Sequence, residues 1–195
     1  PLTKYFGSPM GEMIARTGWE IGTDSADAVV HMRIGEYYFG NHQHHDFGTF
    51  QIYCGGPLAI DSGHYEPIAY ADDHWRHYLQ TTLAHNGLLI EDPTTAPIDY
   101  GGQRTDPGPP DLADYDINYS PSSFGELKDR AKWGTVTGRA WGPSRQRPRV
   151  NYLAGDITDA YYECKVNAVE RSMVAARPSD DAYPMTLFVY DDIEA

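Results

Sequence analysis

Cysteine, basic charge and long apolar runs are all scarce in this 195-residue chain, and each scarcity narrows its chemistry. The two cysteines, Cys54 and Cys164, lie far apart and fit no thiolate zinc motif, so no disulfide framework is expected and both thiols are read as buried. A formal charge of −13 offers little to nucleic acid or to an anionic membrane, since both reward clustered Lys and Arg. An anionic substrate held by a few local cations is still compatible with it. No apolar run is long enough to span a bilayer, and residues 1–4 lack the apolar core of a signal peptide. Gly-x-Ser-x-Gly, Walker and dinucleotide fingerprints are missing, which argues against a nucleophile elbow, nucleotide hydrolysis and a Rossmann cofactor. Among 28 acids, no glycosidase-type carboxylate pair stands out.

What the chain does contain is tyrosine, glycine and proline, at 15, 19 and 14 residues, a composition that suits a turn-rich β protein better than a helical bundle. Strands are expected at 13–19, 28–34, around Val136, and at 152–156, 165–174 and 185–191. Period-two alternation in two of these implies one buried and one wet face. The clearest hairpin is 49–60, turning on Gly55-Gly56. Residues 64–79 read as an excursion or short helix, and 81–90 as a further strand. From 91 to about 131, Pro, Gly, Asp and Ser mark a long irregular surface segment. The expected fold is a single all-β domain over 1–195, an antiparallel β-sandwich or a pair of large curved sheets carrying one long irregular loop.

All eight histidines fall between positions 31 and 85, so any chemistry belongs to the first half. The densest stretch is Gly40-Asn41-His42-Gln43-His44-His45-Asp46-Phe47-Gly48, where burial would be costly without partners. His42 and His44 are two apart and would share a face of an extended strand. They could grip one metal together, or one could bind metal while the other meets substrate. Asp61, at the end of the hairpin, can return beside His44, and His85 can lie alongside. A His, Asp, His set suits Zn²⁺, whereas the plainer alternative is a group of hydrogen-bonded polar residues at a sheet end. His45 and Asp46 are read as structural, with Asp46 orienting a histidine ring, and His31, His64, His74 and His77 as surface or supporting residues.

The run Asn41 to Tyr53, then Gly56 to Gly63, then Thr81 to Ile90 closely resembles the heparinase II/III-like polysaccharide lyases. Asp99 to Arg104, Tyr152 to Thr158 and Glu170-Arg171-Ser172 are similar to later blocks of that family. The resemblance implies an N-terminal (α/α) toroid ahead of antiparallel β layers, with this chain as the β portion of a larger lyase. It implies zinc held by His44, Asp61 and His85, with His42 turned to substrate, and Tyr78 becomes a candidate second proton carrier. Arg76 and Arg104 are candidates for contact with acidic sugars, against ordinary surface solvation. The implied partner is an acidic, uronate-containing polysaccharide cleaved by β-elimination in the periplasm or outside the cell, with toroid groups supplied by the same or another chain and oligomerisation left open. The competing class is a non-catalytic carbohydrate-binding or scaffolding sandwich.

Overall fold

A computed structural model of the chain describes residues 1–20, 22–38, 43–64, 74–91, 102–104, 122–179 and 183–195. Two antiparallel sheets carry the fold. The first is a meander of five strands, β1 (Thr3–Phe6), β2 (Glu12–Arg16), β3 (Ala28–Arg33), β4 (Phe50–Cys54) and β5 (Pro57–Ala59), each paired with the next. The second is a four-stranded meander of β6 (Thr135–Gly142), β7 (Val150–Asp156), β8 (Ala168–Ala176) and β9 (Thr186–Glu194). Burial alternates strictly along β2, β3 and β8, because successive side chains of a strand point to opposite faces.

The core lies between the inner faces of the two sheets. Met13, Ala15, Val30 and Met32 come from the first sheet, and Leu153, Val169, Met173 and Ala175 from the second. Phe47, Trp133, Ile157 and Tyr161 fill in from the connecting segments, all within the same buried cluster. Full burial of such side chains is worth roughly 1.5–3 kcal/mol each before the entropy of ordering is counted. The sheets are also joined by polar contacts. Thr3 donates its hydroxyl to the Asn151 side-chain carbonyl, and Asn151, fully buried, is a polar tie between β1 and β7.

The hairpin 49–60 and the expected strands at 28–34, 152–156, 165–174 and 185–191 are present, with ends shifted by a few residues. Three expectations need correction. Residues 81–90 do not form a strand but a 3₁₀ turn at Thr82–Ala84. The Thr81 hydroxyl donates to the Tyr78 carbonyl, a local bond, and the Thr82 hydroxyl to the His45 carbonyl, 37 residues away, and both compete with a sheet ladder. The segment 91–131 is not uniformly a surface loop, since Gly102 and Gln103 are buried and α1 (Phe124–Arg130) closes it. That helix starts at a capping arrangement in which the Glu126 backbone donates to the Ser123 hydroxyl while its carboxylate accepts from Ser122. The cysteines are free but not buried, with Cys54 half-buried and Cys164 exposed. Finally, β1 was not anticipated, because its four residues carry no strong alternation of their own and gain order by pairing with β2.

On the first sheet, Glu12 accepts from His31 at 3.2 Å and faces Arg33 at 3.4 Å. Burial opposes its ionisation, but the His31 hydrogen bond and the Arg33 charge outweigh that and hold its pKa below the ordinary value of 4.5. A carboxyl with a depressed folded pKa contributes stability above its unfolded pKa and loses it as pH falls. Urea titrations from pH 6 down to 3 should therefore show a steeper fall in stability for wild type than for Glu12→Gln; parallel curves would remove Glu12 from the account.

Candidate metal centre

Three side chains from three separate segments converge at the edge of the first sheet. His44 lies on the crossover between β3 and β4, Asp61 just beyond β5, and His85 at the C-terminal end of the 3₁₀ turn. His44 Nδ1 is 3.0 Å from His85 Nε2, Asp61 Oδ1 is 3.1 Å from His85 Nε2, and Asp61 Oδ2 is 3.4 Å from His44 Nδ1. One donor atom from each residue lies within 4.8 Å of the others, a group able to hold a metal ion.

Tetrahedral geometry tests the fit. Ligand distances of about 2.0–2.1 Å place neighbouring donor atoms about 3.3 Å apart, and the observed edges fall on either side of that value. The tautomer agrees as well. His85 Nδ1 donates to the Thr81 carbonyl at 2.8 Å, which keeps a proton on Nδ1, so Nε2 is the atom that donates to Asp61 when the ring is protonated and offers a lone pair to the triangle when it is not. The His85 side chain is 3 % exposed and that of Asp61 36 %, so the group is walled on the histidine side and open on the carboxylate side.

The electrostatics also favour a cation. Burial disfavours a charge on Asp61, but hydrogen bonds from His44 and His85 prevail and hold its pKa well below the carboxylate range. Burial likewise disfavours protonated His85, yet the Asp61 hydrogen bond and the charges of Asp46 and Asp61 raise its pKa above the ordinary histidine value. The local field thus already rewards positive charge at this point.

His45 has a different task. Its ring is 1 % exposed and stacks against Tyr38 at 5.3 Å and Trp133 at 6.1 Å. Burial, helped by His44 and His85, lowers its pKa to about 3, so it is a neutral core residue. Asp46, expected to orient a histidine ring, instead faces Arg33 at 3.3 Å, because the crossover turns its carboxylate toward the end of β3. Burial lifts the Tyr38 and Tyr161 pKa values to about 12 and keeps both phenols neutral. Tyr78 sits nearer the triangle, with its hydroxyl 2.8 Å from the hydroxyl of Ser62, the residue after Asp61, and its ring stacked on His74 at 5.4 Å. His31 meets Glu12, while His64, His74 and His77 are exposed. Arg104 lies 5.6 Å from both the Trp133 and Tyr162 rings. His42 and the Arg76 side chain lie outside the described residues.

Two residues that hold the site were not singled out by the sequence. Gln103, 1 % exposed, accepts from the Phe47 backbone at 3.0 Å and donates to the Phe47 carbonyl at 2.6 Å, copying a β-ladder pair with one side chain. Arg171, 4 % exposed, binds Asp191 through two nitrogens at 2.6 and 2.9 Å, and donates to the carbonyls of Gly48 and Asn86. Gly48 has φ +69°, and a Cβ there would lie 2.5 Å from the Ile157 side chain just after β7, so glycine suits both the backbone conformation and the close approach. Both residues lie in blocks already compared with the lyases, but their roles depend on contacts across 56 and 123 positions of chain.

A family model described as heparinase II/III-like, C-terminal, matches residues 8–193, and the chain belongs to that family. No curated protein matches the chain. Two outcomes follow from the site geometry. Asp61→Asn and His85→Ala should each reduce bound divalent metal, measured by elemental analysis after dialysis, and should lower the melting temperature more with metal supplied than without it. Arg171→Met leaves Asp191 partly buried without its partner and should cost about 3–5 kcal/mol in denaturant unfolding, with a drop in metal affinity that Arg171→Lys recovers in part; unchanged metal affinity would separate Arg171 from the site.

Proposed function

We propose that this heparinase II/III-like chain supplies the metal centre and a proton-handling histidine to a polysaccharide lyase acting on uronic-acid-containing chains outside the cytoplasm. Family membership supports a relation to polysaccharide lyases, and the observation that carries the reading to particular residues is the triangle of His44, Asp61 and His85. Zinc is the ion these donors favour, with two imidazole nitrogens, one carboxylate and edges of 3.0–3.4 Å. When bound, it would tie the crossover before β4 to the segments after β5 and after the 3₁₀ turn, making a rigid wall for a substrate cleft.

Elimination at a uronic acid needs three services: neutralising the carboxylate, removing the weakly acidic C5 proton, and protonating the departing O4. His42, two residues before His44, takes the first or second of these, since an imidazole changes charge near neutral pH. Tyr78 is the candidate for the third. Its hydroxyl is joined to Ser62, and Ser62 in turn donates to the Ala84 carbonyl at 2.9 Å, so the phenol is tethered to both the Asp61 and the His85 segments. Remaining substrate contacts come from an (α/α) toroid in the same or another chain. Asp61 and His44 hold the wall in place, and the buried His45 keeps the crossover packed.

In the complete enzyme, His42→Ala should abolish ultraviolet-absorbing unsaturated product while bound zinc stays at the wild-type level. Tyr78→Phe should lower kcat by at least about 100-fold, the usual range for a lost proton-transfer group, with little change in KM. Retained turnover in the His42 variant would defeat the assignment, and polysaccharide binding without any unsaturated product in wild type would favour the non-catalytic sandwich.

A further inference from the structure

At the opposite ends of the strands from the metal triangle, the described residues enclose an open groove of about 880 Å³. Its walls come from the turn between β6 and β7, the segment after β8, the residues after β2 and the start of the chain. These walls are joined by backbone bonds, Leu2 N–H to the Arg145 carbonyl at 2.7 Å, Arg16 N–H to the Leu2 carbonyl at 2.8 Å and Arg177 N–H to the Arg149 carbonyl at 2.8 Å. Pro143, Pro148 and Pro178 line it and restrict its backbone further. The groove borders the Ala28 end of β3, since Thr17 N–H donates to the Ala28 carbonyl. The triangle borders the Arg33 end, about 17 Å away at 3.3–3.4 Å per residue.

Its charge runs against the rest of the molecule. In a chain of net charge −13, Arg147, Arg149 and Arg177 line the groove, Arg145 stands beside them, and no described lining residue is acidic. Among the described residues, none of these four pairs with a carboxylate, whereas Arg33 and Arg171 do. Uncompensated guanidinium groups present forks that match carboxylate and sulfate oxygens. Trp19, 63 % exposed, also lines the groove, with Arg16 stacked at 4.4 Å on one face of its ring, so a ligand there would use the other face.

We propose that this groove is a second binding site, for carboxylate- or sulfate-bearing sugars of a polysaccharide chain, separate from the metal centre. The ligand class rests on the reading given above, an acidic polysaccharide, while the site itself rests on Arg147 and Arg149, which lack a carboxylate partner among the described residues, and on the exposed Trp19, with Arg177 bonded to the Thr17 carbonyl and Arg145 stacked on Trp141 beside them. Arg147 and Arg149 meet the acidic groups, and Trp19 supports a sugar face. The groove then retains a long chain while its distant part is processed.

The test uses the full-length protein with heparin as a sulfated probe, alginate as a carboxylate-only probe and double-stranded DNA as a polyanion control. Arg147→Ser/Arg149→Ser should weaken binding of at least one polysaccharide by tenfold or more by calorimetry, and Trp19→Ala by about threefold or more, with bound metal and melting temperature unchanged. Wild-type affinity should fall with added salt, and the double variant should show a shallower slope. Loss on heparin alone assigns the groove to sulfate, and loss on both assigns it to carboxylate. The proposal is overturned if affinities stay within twofold, if wild type binds neither polysaccharide, if DNA binds as tightly, or if the variants alter assembly without altering affinity. Loss of binding in the variants, in a protein that yields no unsaturated product, would reject the lyase reading and leave the groove standing.

Discussion

One buried guanidinium ties the second sheet to both of the segments that carry His44 and His85. Arg171 belongs to the second sheet, yet it donates to Gly48 and Asn86, which follow His44 by four residues and His85 by one. Asp191, one strand over, fixes its plane through two nitrogens. Both histidine segments therefore share one anchor, a side chain that neither contains. Pairing is what makes this tolerable, because a buried cation without such partners would cost several kcal/mol.

With the segments held, adjacent residues take unlike roles. His44 turns outward to Asp61 and His85, while His45 turns inward to Tyr38 and Trp133. The two imidazoles differ in exposure and neighbours more than in chemistry, and those differences give one a place in a group able to hold a metal ion and the other a neutral place in the core. Gln103 closes the arrangement by holding both backbone groups of Phe47. The site is thus a set of loops, but loops anchored by buried side chains rather than by their own ladders.

Much of this was legible from the chain. Strand alternation, the Gly55-Gly56 hairpin and the spacing of Asp61 behind it are local signals, and local signals brought Asp61 back toward His44. The strand expected at 81–90 failed because Thr81 bonds back to Tyr78 in a local turn and Thr82 bonds to His45 on the crossover, the second a choice decided by a tertiary contact. Even so, His85 arrives at the triangle by a different path. Gln103 and Arg171 were invisible as anchors, since a lone glutamine or arginine carries no sign of a partner 56 or 123 residues away. The capping arrangement Ser123 to Glu126 was legible in principle, but was overshadowed by the prolines and glycines before it.

The central claim is that His44, Asp61 and His85 surround one zinc ion. X-ray absorption at the zinc edge of the purified protein measures that shell most directly. The account predicts nitrogen and oxygen scatterers at about 2.0–2.2 Å, with imidazole outer-shell features from two rings that weaken to one in His85→Ala. A sulfur shell near 2.3 Å, or a spectrum unchanged by that substitution, would contradict it.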